Sequence, residues 1–303
     1  MTHPTDPTLP ESRLADPAWL DLMYNNRARV PEHPAYLAQW AEASASARAT
    51  LPRVLDVAYG DSAGEKLDIF LPSQEAVKPG KAPAGAPVLV FIHGGYWRSL
   101  DKADHSFIAP PFVAAGACVV VVNYDLCPAV TVPEITLQMF RALAWTFRHI
   151  AEYGGDPSRI TVAGHSAGGH LAAMLLAAHW KDHAADLPQT LVNNALSISG
   201  LYDLEPLAHT PSLQDALRLT PAHVRLTSPS RLPPPANGML YSVCGGNESD
   251  EFLRQNQLIR HVWGERAVPA CEVLPGLDHF TIVSAFADPS HHLHKMALSL
   301  LER

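Results

Sequence analysis

The sequence lacks the features that mark membrane-spanning and nucleic-acid-binding proteins. No segment approaches the ~18 consecutive apolar residues of a membrane helix, and the first residues, MTHPTDP, contain no apolar stretch of the signal-peptide type. Lysine and arginine number 22 against 30 aspartates and glutamates, and no basic run occurs. The formal charge of −8 argues against a nucleic-acid-binding surface. We therefore expect neither a membrane nor a nucleic-acid partner.

Cysteine is also scarce, and its positions lack the spacing of a metal or redox site. The histidines at 291, 292 and 294 would not share one face of a helix, so a solvated helix surface is expected there. We predict no metal and no cofactor, and reduced thiols in a cytoplasmic protein. A homo-oligomer is compatible with the sequence, but no pattern indicates one. The four cysteines are Cys118, Cys127, Cys244 and Cys271.

The sequence does contain an alternation of short apolar runs and longer amphipathic segments. Runs with no polar face, such as residues 87–92 and 118–123, are typical of a sheet that is covered on both sides. The alternation predicts a doubly wound α/β fold, with a mostly parallel central sheet and helices on both faces. An antiparallel hairpin over 54–59 and 66–71 precedes it, and a surface loop is expected over 73–87.

One glycine-rich motif stands out at the junction of a predicted strand and a predicted helix. Residues 164–168 read G-H-S-A-G and follow the β-branched run 160–163. In this context G-x-S-x-G predicts a sharp turn that lifts the serine hydroxyl above the edge of the sheet. Gly164 and Gly168 allow the strand and the helix to approach closely, because neither has a Cβ. Ser166 is therefore a candidate nucleophile.

A serine nucleophile needs a base, and the base needs an acid that orients it. His279 follows the last predicted strand and is the candidate base among 16 histidines. Glu248, Asp250 and Glu251 all follow the strand at 239–243 and compete as the acid. The spacing from the strand end favours Glu248, and Asp250 would then complement the N-terminus of the next helix. Asp278 is adjacent to His279, and neighbours in a loop seldom adopt the required geometry.

A second glycine-containing loop, HGGYW at residues 93–97, follows the strand at 87–92. Loops of this type present backbone N–H groups to the oxyanion that develops during acyl transfer. We predict Gly95 and Tyr96 as donors, with the Ala167 N–H as a third. The histidine that begins the loop is expected to brace it.

Two further segments complete the predicted architecture. Residues 1–53 are expected to form a helical arm of the same domain, with one helix beginning after Asp16 and another over 33–47. The arm would pack on the main domain, 54–303, and one interpretation is that it covers part of the active-site mouth. Residues 203–236 are rich in proline and predict a small insertion over the C-terminal edge of the sheet.

The combined motifs resemble the arylformamidase (kynurenine formamidase) branch of the hormone-sensitive-lipase-type α/β-hydrolases. The likeness rests on HGGYW at 93–97, NYDLCP at 123–128, GHSAG at 164–168 and ESDEF at 248–252. That branch often has an aspartate at the position of Glu248. The resemblance implies an α/β-hydrolase fold and hydrolysis of N-formylkynurenine to kynurenine and formate, without metal or cofactor. It also implies side activity on small aryl or short-acyl esters.

The sequence thus predicts a serine hydrolase that cleaves a small amide or ester through an acyl-enzyme. A generic short-acyl carboxylesterase is one alternative, and a non-catalytic binding member of the fold is an alternative from another class. Tyr96, Trp97 and His165 are candidate substrate-binding residues, although Trp97 is equally typical of a core aromatic. An amino-acid substrate would need a charged partner, for which Arg27 and Arg98 are candidates.

Overall fold

A computed structural model describes residues 7, 9–73 and 85–302 of the chain. Part of the surface loop expected over 73–87, residues 74–84, lies outside the described residues. The described strands, numbered along the chain, are β1 (Arg53–Ala58), β2 (Lys66–Phe70), β3 (Ala86–Ile92), β4 (Cys118–Val122), β5 (Gly155–His165), β6 (Asn194–Ile198), β7 (Met239–Gly245) and β8 (Ala270–Leu274).

The eight strands form one sheet in the order β1-β2-β4-β3-β5-β6-β7-β8. β1 and β2 form the predicted antiparallel hairpin, and β2 is also antiparallel to β4. Every pair from β4 to β8 in this order is parallel. The prediction of a mostly parallel α/β sheet is therefore confirmed.

The apolar strands bury both of their faces, as their composition requires. Successive side chains of a strand point to opposite faces. In β3, Val88 and Val90 belong to one hydrophobic core, whereas Leu89 and Phe91 belong to another on the opposite face. An apolar residue at every position of β3 is thus needed to fill two cores.

Helices cover both faces of this sheet. They are α1 (Glu11–Leu14), α2 (Pro17–Tyr24), α3 (Asn26–Arg29), α4 (His33–Thr50), α5 (Ala109–Ala114), α6 (Val132–His149), α7 (Ala167–Leu176), α8 (Trp180–His183), α9 (Glu205–Ala208), α10 (Pro211–Leu217), α11 (Pro221–Thr227), α12 (Asp250–Ala267), α13 (Thr281–Ala287) and α14 (His292–Leu301). α2, α6, α7 and α12 contribute to one core, and α4, α5, α13 and α14 contribute to the other.

The N-terminal helices pack on the sheet domain through aromatic side chains. The first long helix begins where the sequence predicts, since the Asp16 carboxylate accepts a hydrogen bond of 3.0 Å from the Trp19 backbone N–H. α4 extends three residues past its predicted end. Its Trp40 ring stacks on Phe107, with ring centroids 5.6 Å apart, and lies 6.1 Å from the ring of Phe280. The division of the chain at residues 53 and 54 stays a prediction.

The proline-rich segment 203–236 contains α9, α10 and α11 and one short 3-10 turn, Pro229–Arg231. It reaches the arm, because the backbone N–H of Ser212 donates to the Asp21 carboxylate over 3.0 Å. Within the described ranges, no helix combines the length and the apolar character needed to cross a membrane. The hydrogen bond from Ser212 to Asp21 thus joins the insertion to the arm.

Candidate active site

Ser166 lies at the turn between β5 and α7 in a strained backbone conformation. Its φ of 57° and ψ of −117° fall in a region that side-chain-bearing residues seldom occupy. The backbone N–H of Ser166 donates to the Ile198 carbonyl over 2.8 Å, which anchors the turn to β6. A Cβ at Gly164 would lie 2.1 Å from the Gly168 carbonyl oxygen, so the turn requires glycine there.

The structure brings Ser166, His279 and Glu248 together as a continuous chain of hydrogen bonds. His279 Nε2 lies 3.1 Å from Ser166 Oγ, and His279 Nδ1 lies 2.6 Å from Glu248 Oε2. Each side chain follows a different parallel strand, β5, β8 or β7, so all three meet at one edge of the sheet. This is the geometry of a nucleophile, a base and an orienting acid.

The carboxylates of Asp250 and Asp278 lie apart from this chain of contacts. Asp250 is exposed and is the first residue of α12, so it complements the positive end of that helix. The Asp278 carboxylate accepts hydrogen bonds from the backbone N–H groups of Phe280 (2.8 Å) and Thr281 (2.9 Å). Its side chain thus caps a local turn and does not reach the histidine beside it.

Glu248 is held by two further donors that leave it little freedom. Its Oε1 accepts a hydrogen bond from Ser199 Oγ (2.5 Å) and another from the Gly245 backbone N–H (2.7 Å). Its side chain is fully buried. The sequence analysis does not predict a role for Ser199. This residue directly follows β6, the strand adjacent to β7, and that position could have indicated its contact with Glu248.

The HGGYW loop combines several left-handed residues next to the serine. Gly95, Tyr96 and Trp97 have φ values of 107°, 50° and 53°. A Cβ on Gly95 would lie 2.1 Å from the Ser99 carbonyl oxygen. Within residues 7, 9–73 and 85–302, the backbone N–H groups of Gly95, Tyr96 and Ala167 donate to no other residue. All three are thus available to an incoming oxygen.

His93 braces this loop from below, as the sequence analysis expects. Its ring stacks on Tyr124 with the centroids 4.3 Å apart. Nδ1 lies 2.8 Å from the Gly94 carbonyl oxygen, and Nε2 lies 3.0 Å from Asn123 Oδ1. The Tyr124 hydroxyl also donates to the His93 carbonyl over 2.9 Å. The fully buried His93 therefore holds the loop and does not face a substrate.

A cavity of about 240 Å³ opens above Ser166 and His279. Its volume falls just below the range of roughly 300–1,000 Å³ that is typical of small-molecule sites. Tyr96 and His165 line it, as predicted. The N-terminal arm supplies further walls, including Trp40, and the insertion supplies others. The interpretation that the arm covers part of the mouth therefore matches the structure.

Trp97 does not line this cavity, so the prediction that it binds substrate is wrong. Its side chain is fully buried in the core, and its ring meets that of His170 edge-on with centroids 4.9 Å apart. The Trp97 carbonyl also accepts a hydrogen bond of 2.8 Å from the Cys127 backbone N–H. The alternative prediction for Trp97 is a core aromatic that anchors the loop. The structure agrees with this alternative, because the left-handed backbone turns the ring inward.

The two other candidate binding residues are constrained by their surroundings. The Tyr96 hydroxyl donates to the Tyr24 carbonyl over 2.7 Å, so it ties the loop to the arm. The ring of His165 lies 4.6 Å from that of His279, centroid to centroid. Burial, and then the charge of His279, lowers the pKa of His165 well below its usual value. His165 is therefore neutral beside the candidate base.

The C-terminal histidines form no metal site. Within the described residues, no cluster of three or more histidine, cysteine, aspartate or glutamate side chains has the geometry to hold a metal ion. His291 is the N-cap of α14 and accepts from the Leu293 backbone N–H over 3.1 Å. His294 is buried, with its ring 4.4 Å from that of Phe112, so the expectation of a wholly solvated surface was wrong for this residue.

Comparison with known proteins identifies the fold and the family. A family model of the α/β-hydrolase fold matches residues 89–238. Kynurenine formamidase of Salmo salar is 30% identical over 269 residues, which cover 86% of each chain. The chain belongs to the kynurenine formamidase-like branch of the α/β-hydrolases. It is therefore a hydrolase, and the predicted family is confirmed.

Other relatives of this α/β-hydrolase extend the comparison to esterases and to solved structures. Esterase LipQ of Mycobacterium tuberculosis is 37% identical over 155 residues, which cover 49% of this chain and 35% of LipQ. The crystal structure of a candidate thioesterase from Silicibacter sp. TM1040 superposes with a TM-score of 0.78 at 28% identity. It covers 94% of this chain and 99% of its own. The fold is thus shared over nearly the whole length.

Proposed function

We propose that this protein hydrolyses a small aryl formamide, N-formylkynurenine in the first instance, through an acyl-enzyme. The observation that carries the proposal is the hydrogen-bonded series from Ser166 through His279 to Glu248 at the floor of the cavity. The similarity to kynurenine formamidase over 86% of both chains supports the choice of substrate. A cavity of about 240 Å³ agrees with a small substrate.

The first half of the reaction acylates the enzyme. Ser166 Oγ attacks the formyl carbon while His279 Nε2 takes the hydroxyl proton. Glu248 keeps the Nδ1–H of His279 directed toward itself and stabilises the imidazolium that forms. The tetrahedral oxyanion accepts hydrogen bonds from the N–H groups of Gly95, Tyr96 and Ala167. His279 then returns the proton to the departing aryl amine, and the C–N bond breaks.

The second half restores the free enzyme. Water attacks the formyl-enzyme, His279 removes a proton from it, and the same N–H groups hold the second oxyanion. Collapse of this intermediate breaks the bond to Ser166, whose oxygen regains the proton from His279, and formate leaves. Every proton transfer in this cycle uses one imidazole, so the reaction needs no group beyond the chain and water.

Aromatic side chains around the cavity support an aryl leaving group. Trp40, Tyr96 and Phe280 line its walls. Flat apolar faces of this kind bind aromatic rings by stacking and edge contacts. We place the arylamine against these side chains and the formyl carbon over Ser166, within reach of the oxyanion donors.

The principal experiment measures formate release from N-formylkynurenine by the purified protein, with 4-nitrophenyl acetate as a second substrate. The proposal expects a higher kcat/KM on the formamide, and Ser166→Ala should abolish both activities. Cleavage of the ester alone would leave the generic carboxylesterase, which the likeness to LipQ over 155 residues favours. Thr161→Ser lies in β5 outside the cavity and serves as a conservative control.

A binding protein without catalysis makes a different prediction. A fluorophosphonate probe labels an activated serine by covalent attachment, and the unactivated hydroxyl of a binding protein reacts poorly. We expect stoichiometric labelling that is lost in Ser166→Ala, and an unlabelled wild-type protein would support the binding class.

We further propose a cytoplasmic location, since all four cysteines are free thiols.

A further inference from the structure

The mouth of the cavity is cationic on a protein whose formal charge is −8. Arg27 from α3 and Arg98 from the end of the HGGYW loop both line it. Among the residues that the structure describes, no aspartate or glutamate lines this cavity. A local excess of positive charge at the mouth favours a ligand that directs a carboxylate group toward it.

Arg27 is free to bind such a ligand. It is exposed, and within the described part of the chain it has neither an ion pair nor a hydrogen bond. Arg48 of the same arm, by contrast, is paired with Asp68. Arg98 is partly engaged, since one of its N–H groups donates to the Ser212 carbonyl over 2.7 Å. A guanidinium group has five N–H donors, so both arginines retain capacity.

The position of Arg27 is held by the two residues that precede it. Asn25 caps α3 by accepting a backbone hydrogen bond of 3.1 Å. Asn26 is buried, and its amide lies 3.5 Å from the Tyr96 hydroxyl. That hydroxyl in turn donates to the Tyr24 carbonyl over 2.7 Å. The backbone of Arg27 is therefore tied to the loop that carries the proposed oxyanion donors.

We propose that Arg27 is a specificity-determining residue that binds a carboxylate on the leaving-group side of the substrate, with Arg98 as a second cation. This inference rests on the proposed function. A formyl group cannot carry a carboxylate, so the carboxylate must belong to the arylamine that leaves. Guanidinium groups bind carboxylates through two parallel hydrogen bonds. In N-formylkynurenine this group is the α-carboxylate at the end of the chain that the ring bears.

The test compares substrates that differ only in this charge. N-formylkynurenine is paired with its α-carboxamide, and KM and kcat are measured for wild type and Arg27→Gln. We expect KM for the acid to rise about 5- to 30-fold, with kcat within about twofold, because a charged hydrogen bond at a partly exposed site is lost. Kinetics on the carboxamide should not change, and Arg27→Lys should recover part of the loss.

Arg29→Gln is the matched control, since Arg29 lies on the same helix, is exposed and does not line the cavity. It should leave KM for both substrates unchanged. An equal KM change in Arg29→Gln and Arg27→Gln would overturn the inference, because net charge would then explain both. Equal effects of Arg27→Gln on the acid and the carboxamide, or no effect on either, would also overturn it.

A pair of esters separates failure of this inference from failure of the proposed function. 3-(4-Acetoxyphenyl)propanamide and 3-(4-acetoxyphenyl)propanoate share the acetyl group and the leaving-group skeleton, and they differ in the charge at the end of the chain. If wild type releases no formate but cleaves these esters, the formamidase proposal fails while the carboxylate site is still measured. A rise in KM in Arg27→Gln confined to the acidic ester supports the site, and unchanged KM values refute it.

Discussion

Replacing Glu248 by glutamine tests the proposed acid without changing the size of the side chain. The glutamine carbonyl can still accept from Ser199 and Gly245, the two donors that now contact Oε1. Its NH₂ group then faces His279 Nδ1, which must become an acceptor. The imidazole proton moves to Nε2 and points at Ser166, so the ring can no longer act as a base. We expect kcat to fall roughly 10³- to 10⁴-fold, as for other triads that lose this tautomer.

Asp250→Asn is the matched control, because it removes the other carboxylate in the same loop. Asp250 is exposed at the first position of α12, so its loss should cost only about 0.3–1 kcal/mol of stability through the helix dipole. The assay is kcat on 4-nitrophenyl acetate, with Tm measured for each variant to show that it is folded. Near-normal turnover in Glu248→Gln together with a large loss in Asp250→Asn would refute the assignment.

Three further predictions address the turn, the buried histidines and the arm. Gly164→Ala places a Cβ 2.1 Å from a backbone carbonyl and should prevent folding, and a soluble, active variant would contradict this. Burial lowers the pKa of His105 to about 3 and that of His170 to about 4. Both histidines are therefore neutral in the folded protein, whereas in the unfolded chain they take up protons below about pH 6.5. The contribution of these two histidines to the free energy of unfolding is therefore complete above that pH and decreases below it. At pH 5 the decrease is about 4 kcal/mol for the pair, and urea unfolding at pH 7 and pH 5 measures it. Tyr24→Phe removes a buried 2.6 Å hydrogen bond to Glu251 and should cost about 1–3 kcal/mol in the same assay, whereas an unchanged midpoint would show that this contact is dispensable.

The three side chains of the proposed catalytic series could be predicted because each one belongs to a local pattern. Ser166 lies in a short motif at a strand end, and His279 and Glu248 follow two later strands whose apolar runs are legible in the sequence. In a parallel sheet the carboxyl ends of these strands share one edge, so strand order alone brings the three together. The contact of Ser199 with Glu248 depends on side-chain directions, which apolar periodicity does not encode.

The cavity walls could be predicted less well, because their residues are distant in the chain. Whether Trp97 faces the substrate or the core depends on three successive positive φ values, which the letters HGGYW do not specify. Likewise, the Trp40 ring at the cavity stacks on Phe107 and lies beside Phe280, which follows the candidate base in its loop. Such contacts are decided by packing in three dimensions and have no periodic signature.

Tyr96 shows why the arm and the active site should be understood together. Its backbone N–H is a proposed oxyanion donor, and its hydroxyl donates to the Tyr24 carbonyl in the arm over 2.7 Å. Its φ of 50° is left-handed, so the segment that carries this N–H has few alternative conformations. A displacement of the arm would shift both the donor and the nearby Arg27. The segment before the sheet thus takes part in forming the candidate site, although it supplies none of the three side chains of the proposed catalytic series.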